Sequence, residues 1–370
     1  MSSNTKLCIA TGIFPPDTGG PAKFAASFAE WAASKSKDLS IVSLTDGDAG
    51  KTQFSNVDVE LISRKSPFLW RFLKTSLFLR RSMLSGVVVL ANGLFLETYI
   101  ASLFIRGTNY ITKVPGDIVW ERARNSGYTQ LSIDEFQNSD ISLKWRLFRW
   151  LFTRSLKKSK AVIVPSLHLE SLCVLWGLPR QKIILINNSV DTKKFSSGNL
   201  AKKWDAITVC RLVPWKGVDE IIKICASLSL SLCVVGDGPE KAKLEGLAKS
   251  LHIKVDFVGD RTETEVKSLL DQSRCFVLNS TFEATSYALL EARSMSLFSI
   301  ARRNTGSEEV INHDSDGLLC DEHFPLSSAL ARFRDDNEFV KSASILARKD
   351  TTLRFDQNVN FAKIYEQAAG

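Results

Sequence analysis

Short apolar runs alternate with amphipathic stretches of helical length along the whole chain. "KLCIATGIF", "DLSIVSL", "GVVVLAN", "NYITKV", "KAVIVP" and "KIILIN" read as strands of the first half. "WDAITVCRL", "SLCVVG", "KVDFVG", "RCFVLN" and "LFSIAR" do the same in the second half. Between them, stretches such as "PAKFAASFAEWAAS" and "PEKAKLEGLAKSL" set apolar residues at three- and four-residue spacing. Such alternation predicts an α/β protein with parallel sheets covered by helices. On sheets of this kind ligands sit at the carboxyl ends of the strands.

At 370 residues the chain exceeds a single core, and two domains of about 150 to 200 residues are expected. The polar segment 187–205 holds Ser196-Ser197-Gly198 and no apolar periodicity, so it reads as the linker. The expected domains are 1–195 and 200–349, two similar open sheets facing each other across a cleft. The first apolar run is too short for a signal-peptide core and ends at Pro15-Pro16. The longest one, "SGVVVLANGLFLETYIASLFI", divides into strand, turn and helix better than it fits the roughly 20 apolar residues of a spanning helix. Seven cysteines sit isolated in apolar runs without a CxxC, as buried reduced thiols of a cytosolic protein do. The four histidines have no zinc-ligand spacing.

The net charge of +8 changes this picture because it is unevenly placed. No acid occurs from Leu61 to Leu96 or from Ile141 to Leu169, while arginines and lysines recur in both segments. Fields of this sign attract an anionic partner: nucleic acid, a membrane surface or a phosphorylated substrate. "PFLWRFLKTSLFLRRSML" and "KWRLFRWLFTRSLKK" are basic, amphipathic and carry tryptophan. In the second, Trp145, Phe148, Phe152 and Ser155 share one helical stripe. Either both helices lie on an anionic bilayer, or they pack on the sheet and only their charges face solvent. The chain has no helix-turn-helix or single-strand-binding signature, so no nucleic-acid partner is expected.

Candidate chemistry gathers at strand ends. After the first strand, Gly19-Gly20 before Pro21 puts bare amides at a helix entrance, either an anion cradle or an ordinary βα turn. The pattern is neither GxGxxG nor a P-loop, which speaks against a dinucleotide dehydrogenase or a kinase. "ITVCRLVPWKG" delivers Arg211 and Lys216 at a strand's carboxyl end, suited to a bidentate and a point contact with phosphate. "DGD" (46–48) and "DSD" (314–316) match the DxD spacing of metal-held diphosphates, or are turns. In "STFEATSYALLEARSM", Glu283 lies in a strand-to-helix turn capped by Thr285 or Ser286, and Glu291 lies about 10 Å further along the helix. Each acid has its own task. One can accept from sugar hydroxyls and the other from ribose hydroxyls, with the amides of Ser286, Tyr287 and Ala288 aimed at a diphosphate between them.

In this order the pieces resemble glycosyltransferase family 4, retaining enzymes of the GT-B fold. The likeness rests on the Gly19-Gly20 loop, "PSLHLESL…GLPRQKIILINNSVDTKKF", "CRLVPWKG", "VVGDGPEKAKLEGLAK", "FVGD", "FEATSYALLE", "TGSEEVI" and "DGLL". It runs from residue 7 to the last helix, "FAKIYEQ". The resemblance implies two Rossmann-like domains facing an interdomain cleft, with residues 350–370 returning to the first. It implies transfer of a sugar from a nucleotide-diphosphate sugar to a saccharide or lipid-linked saccharide, by front-side attack with retention. No metal or other cofactor is expected, and the place of action is cytoplasmic, peripheral at the inner face of the membrane. Arg211 and Lys216 would hold the diphosphate, Glu283 the sugar and Glu291 the ribose. Gly19 and Gly20 would approach from the first domain, and Glu309 would order the donor site. Where the family often has glycine, this chain has Ser189, Ala284 and Ser286. Where many members have a histidine, "VPGDIVWERA" has none, leaving Asp117 or a backbone carbonyl in its place. The alternative is a catalytically silent homologue serving as a membrane-surface scaffold.

Overall fold

The structure is a computed structural model that describes residues 5–107, 110–198, 200–303 and 306–369. Asn109 of "NYITKV", Asn199 of the expected linker and Thr305 of "TGSEEVI" lie outside the described residues. The chain divides into two compact units, Met1–Ile186 with Asn358–Gly370, and Asn187–Gln357.

The first unit is built on eight strands: β1 (Leu7–Thr11), β2 (Leu39–Thr45), β3 (Gly50–Phe54), β4 (Val57–Ser63), β5 (Val88–Asn92), β6 (Tyr110–Lys113), β7 (Val162–Val164) and β8 (Ile183–Leu185). Their order is β3-β4-β2-β1-β5-β6-β7-β8. All neighbours are parallel except the hairpin β3–β4. Its turn residues, Ser55 and Asn56, have φ of 49° and 64°, the pair of left-handed torsions a two-residue hairpin needs. Its helices are α1 (Gly20–Ser34), α2 (Phe68–Leu84), α3 (Phe95–Ser102), α4 (Ile118–Asn125), α5 (Ile133–Asn138), α6 (Leu143–Lys158) and α7 (Leu167–Leu175). α2, α3 and α6 lie side by side in one layer. From α2 and α3, Leu79, Met83 and Ala101 join Cys8, Ala10 and Val89 of the sheet in a common core. Tyr110 of β6 donates to Ser155 O of α6 at 2.6 Å.

The second unit has six parallel strands, β9 (Trp204–Val209), β10 (Leu232–Val235), β11 (Val255–Gly259), β12 (Ser273–Leu278), β13 (Phe298–Arg302) and β14 (Leu318–Cys320), in the order β11-β10-β9-β12-β13-β14. Helices α8 (Val218–Ser227), α9 (Lys241–Ser250), α10 (Glu263–Asp271), α11 (Tyr287–Ser294), α12 (Leu326–Asp335) and α13 (Asn337–Arg354) complete it. One apolar core forms around Ile221, Val234 and Phe298, and another around Ile207, Phe276 and Leu289. Alternate residues of β9, β10 and β12 divide between the two, so these strands are covered on both faces.

The last helix, α14 (Gln357–Ala369), belongs to the first unit from residue 358 on. The ring of Phe361 packs against Phe24, Phe28 and Trp31 of α1, at 5.7, 5.1 and 6.0 Å between centroids. Tyr365 donates to Thr5 O at 2.8 Å.

Both expected boundaries move. Residues 187–195 belong to the second unit rather than the first. The Val190 amide donates to Phe355 O at 3.0 Å, the Gln357 amide to Val190 O at 3.1 Å, and Phe195 is buried in the second core. Two isolated apolar residues in a polar segment anchor it, which periodicity does not reveal. For the same reason 350–357 stays in the second unit, where Thr351 and Phe355 are buried.

Six of the seven cysteines are buried and all are free thiols. Burial pushes the Cys8 thiol up to about 11 and that of Cys225 to about 12. No helix among the described residues is long and apolar enough to cross a membrane.

Candidate functional site

In the second unit the strand order reverses beside β9, where the chain leaves β11 at one edge and returns as β12. Beyond the carboxyl ends of β9, β12 and β13 lie most of the expected site residues, at the switch point such sheets use for ligands.

Arg211 is exposed on the segment following β9. That segment is held backbone to backbone by the loop after β10. The Cys210 amide donates to Val235 O at 3.1 Å, the Leu212 amide to Asp237 O at 2.9 Å, and the Glu240 amide to Leu212 O at 3.1 Å. A Cβ at Gly236 would stand 2.0 Å from Cys210 O, and one at Gly238 2.3 Å from Leu212 O. The "GDG" of residues 236–238 is therefore the clamp that fixes the backbone on either side of Arg211.

Lys216 ends a single 3₁₀ turn, Pro214–Lys216, followed by Gly217 at φ 59°. Asn279, at the end of β12, donates to Gly217 O at 3.0 Å and to Glu220 at 2.7 Å, and accepts from Arg302 at 3.0 Å. The Thr281 amide donates to Trp215 O at 2.9 Å. So fixed, Lys216 forms an ion pair with Glu283, the two side chains only 17% and 15% exposed. Glu283 is held in turn through its carbonyl, which accepts from the Gly306 amide at 2.7 Å.

Ser286, rather than Thr285, caps α11, accepting from the Leu289 amide at 3.4 Å. The amides of Ser286, Tyr287 and Ala288 stand at the helix entrance, outside its own hydrogen-bond ladder. Tyr287 donates to Asn188 Oδ1 at 3.2 Å, and Asn188 Nδ2 to Thr285 O at 2.9 Å. Burial raises the Tyr287 phenol, so it stays protonated. Glu291 is 2% exposed, midway along α11. Glu309 is half-buried in the turn that starts at Gly306, and its carbonyl accepts from Arg354 at 2.8 Å.

Gly19, Gly20 and Asp117 lie in the first unit. Gly19 caps α1 at φ 137°, a conformation that favours glycine, and Pro21 follows in the first turn. The loop before it is fastened by Arg64, which donates to Gly12 O at 2.8 Å and to Asp17 Oδ2 at 2.5 Å. In the sequence Arg64 stands only within a basic field. Its partners are 52 and 47 residues away, and no local pattern marks them.

The Asp117 carboxylate caps α4, accepting from the Val119 and Trp120 amides at 2.9 and 3.1 Å and from Gln137 at 2.9 Å. It is 1% exposed, and burial is the main cause that raises its pKa. Lys113, the last residue of β6, belongs to no motif in the sequence. It is buried with its ammonium 4.7 Å from the centroid of the Phe24 ring, and burial lowers it to about 7.

Acids of both DxD triplets pair with arginines. Asp46 pairs with Arg64 at 2.7 Å. Asp314 pairs with Arg332, and Asp316 is buried against Arg293 at 3.1 Å. Among the described residues no group of three or more histidine, cysteine, aspartate or glutamate side chains could hold a metal ion.

Residues 189–350 match the family model described as glycosyl transferases group 1. The chain is 30% identical over 165 residues to a phosphatidylinositol N-acetylglucosaminyltransferase component of Arabidopsis thaliana, covering 42% of this chain and 37% of that protein. It is 30% identical over 152 residues to the lipopolysaccharide core biosynthesis glycosyltransferase LpsD of Rhizobium meliloti (strain 1021), covering 40% and 44%. The chain thus spans less than half the length of these curated relatives. Among solved structures, Anabaena Alr3699/HepE in complex with UDP and glucose superposes with a TM-score of 0.79 at 17% identity, over 99% of this chain and 100% of the other. Sucrose-phosphate synthase (tll1590) from Thermosynechococcus elongatus does so with 0.81 at 15% identity, over 98% of each.

Proposed function

We propose that the chain, whose residues 189–350 match the group 1 glycosyl transferases and whose fold is GT-B, is a glycosyltransferase that transfers a sugar from a nucleotide-diphosphate sugar to a saccharide or lipid-linked saccharide. The reading adds retention of the anomeric configuration and independence of metal. The observation that carries it is the fixed Lys216–Glu283 pair at the switch point, with Arg211 and the entrance of α11 in the same group of strand ends.

Breaking the anomeric C–O bond puts charge on the departing diphosphate. Arg211 offers a planar fork to it, Lys216 a point charge, and the first turn of α11 its amides and dipole. These groups are held by backbone clamps before substrate arrives, so their stabilisation costs little reorganisation during the reaction. Glu283 keeps Lys216 in place and has a second carboxylate oxygen with which to accept from sugar hydroxyls. Glu291 would take the ribose, Gly19 and Gly20 would approach the donor, and the turn carrying Glu309 would order Glu283 through Gly306. Charge neutralisation by two cations is what supports the metal-free reading.

A lipid-linked acceptor and a peripheral position at the inner face of the membrane are supported by the basic segments of the first unit. Relatives named for lipopolysaccharide core and amylovoran biosynthesis are in keeping with this.

The test incubates the pure chain with a panel of UDP- and GDP-sugars in EDTA and follows release of the nucleoside diphosphate. Release from one donor class in EDTA, with the product sugar retaining its anomeric configuration by NMR, is expected. Turnover that stops in EDTA and returns with a divalent ion would refute metal independence. An inverted product would refute retention.

A further inference from the structure

The outer surface of the α2–α3–α6 layer is apolar where an ordinary helix layer is polar. On α2, Trp70, Leu73, Leu77 and Leu84 recur at spacings of three, four and seven, and each is more than half exposed. On α6, Leu143, Leu147 and Trp150 recur at spacings of four and three, again more than half exposed. Just past α3, between the two in the layer, Phe104 is 98% exposed at φ 63°. These residues form a second stripe on each helix. The buried stripe of α6 is the one with Trp145, Phe152 and Ser155.

Cations continue the same stripes. Arg81 follows Leu77 by four residues on α2, and Arg154 and Lys157 extend the α6 stripe beyond Trp150 at spacings of four and three. Two hollows open on either side of this part of α6, of about 550 and 440 Å³. The first is lined by Tyr99, Trp150, Thr153, Arg154, Lys157 and Lys158. Arg146, Arg149 and Lys157 line the second, whose carboxylate, Asp140, is held by Arg146 at 2.5 Å. The Arg154 guanidinium lies 5.0 Å from the centroid of the Trp150 ring, between the two kinds of surface.

We propose that the outer face of α2, α3 and α6 docks on an anionic phospholipid bilayer, with lipid phosphates seated in the cationic hollows beside Trp150. This deepens the membrane part of the proposed function and does not depend on sugar transfer. Charge complementarity selects the occupant. Exposed leucine, phenylalanine and tryptophan rimmed by lysine and arginine match the boundary between acyl chains and anionic headgroups. A second copy of the chain in a two-fold dimer would set this basic face against itself, and like charges oppose that. Nucleic acid offers nothing for exposed leucines to enter.

Flotation of the full chain with vesicles tests this directly. With about 30 mol% phosphatidylglycerol in phosphatidylcholine the chain should float, and added salt should weaken the effect. Pure phosphatidylcholine should recover much less. Arg154→Glu with Lys157→Glu, and separately Trp70→Ser with Leu73→Ser, should each lower partitioning about tenfold or more. Both pairs are on the surface, and unchanged thermal unfolding confirms that they fold. No flotation with anionic vesicles, or equal flotation of all variants, would overturn the proposal. So would a dimer in size-exclusion chromatography that Trp70→Ser dissociates. Vesicle binding without nucleoside diphosphate release would count against the sugar-transfer reading alone, and the converse against docking alone.

Discussion

Lys216→Ala is expected to lower turnover by about a hundredfold while the chain remains folded. The lysine is the cation most firmly placed at the switch point, through Gly217, Asn279 and Thr281, and under the proposed function its loss removes charge where a departing diphosphate would gain it. Removing it also leaves Glu283 with 15% of its side chain exposed and no ammonium beside it, which costs stability. Glu283→Gln alone is expected to reduce activity as well. The double variant should lose less than the sum of the two singles, because residues in contact share part of each effect. Steady-state rates and thermal unfolding of the three variants form the check, and strict additivity would mean that the pair does not act as a unit.

Gly306→Ala should damage both folding and activity. A Cβ at this position would stand 1.5 Å from Ala284 O and 3.0 Å from Glu283 O, and both obstacles are backbone. The turn that carries Glu283 must move for the methyl group to fit, and the hydrogen bond from the Gly306 amide to Glu283 O is lost with it. Overpacking of this kind costs about 1–3 kcal/mol or more, and the turn carrying Glu283 loses its geometry. Gly246→Ala is the matched control. It lies inside α9 with nothing within 4 Å of the added Cβ, so it should be neutral or stabilise by about 0.5–1 kcal/mol. Denaturant unfolding of both variants, alongside their rates, distinguishes a backbone collision from a general intolerance of alanine.

Strands buried on both faces wrote themselves into the sequence as unbroken apolar runs, which is why β1, β10 and β12 were legible. The edge strand β3 was not, since "GKTQF" is polar and largely exposed and exists only through its pairing with β4. Glycines at strand ends carried the site's outline, and the structure supplies their reason at Gly236, Gly238 and Gly306, where the approaching atoms are backbone oxygens. Long-range partners were invisible. Asp117 before a helix gives no sign in sequence of Gln137, the partner 20 residues on that donates to it. The pairing of Lys216 with Glu283 joins residues 67 apart, and nothing local predicts that the two would share one ion pair. The basic helices admit two readings in sequence, and burial divides their apolar residues. Trp145 and Phe152 pack inward, while Leu147 and Trp150 remain outside.

The central claim is that Arg211, Lys216 and the entrance of α11 form a metal-free diphosphate site. Calorimetric titration of UDP and of GDP into the full chain in EDTA tests it most directly. One of the two should bind at a single site per chain, and Arg211→Ala should weaken it at least tenfold, about 1.4 kcal/mol. Binding of neither nucleotide, or binding that Arg211→Ala leaves unchanged, would contradict it.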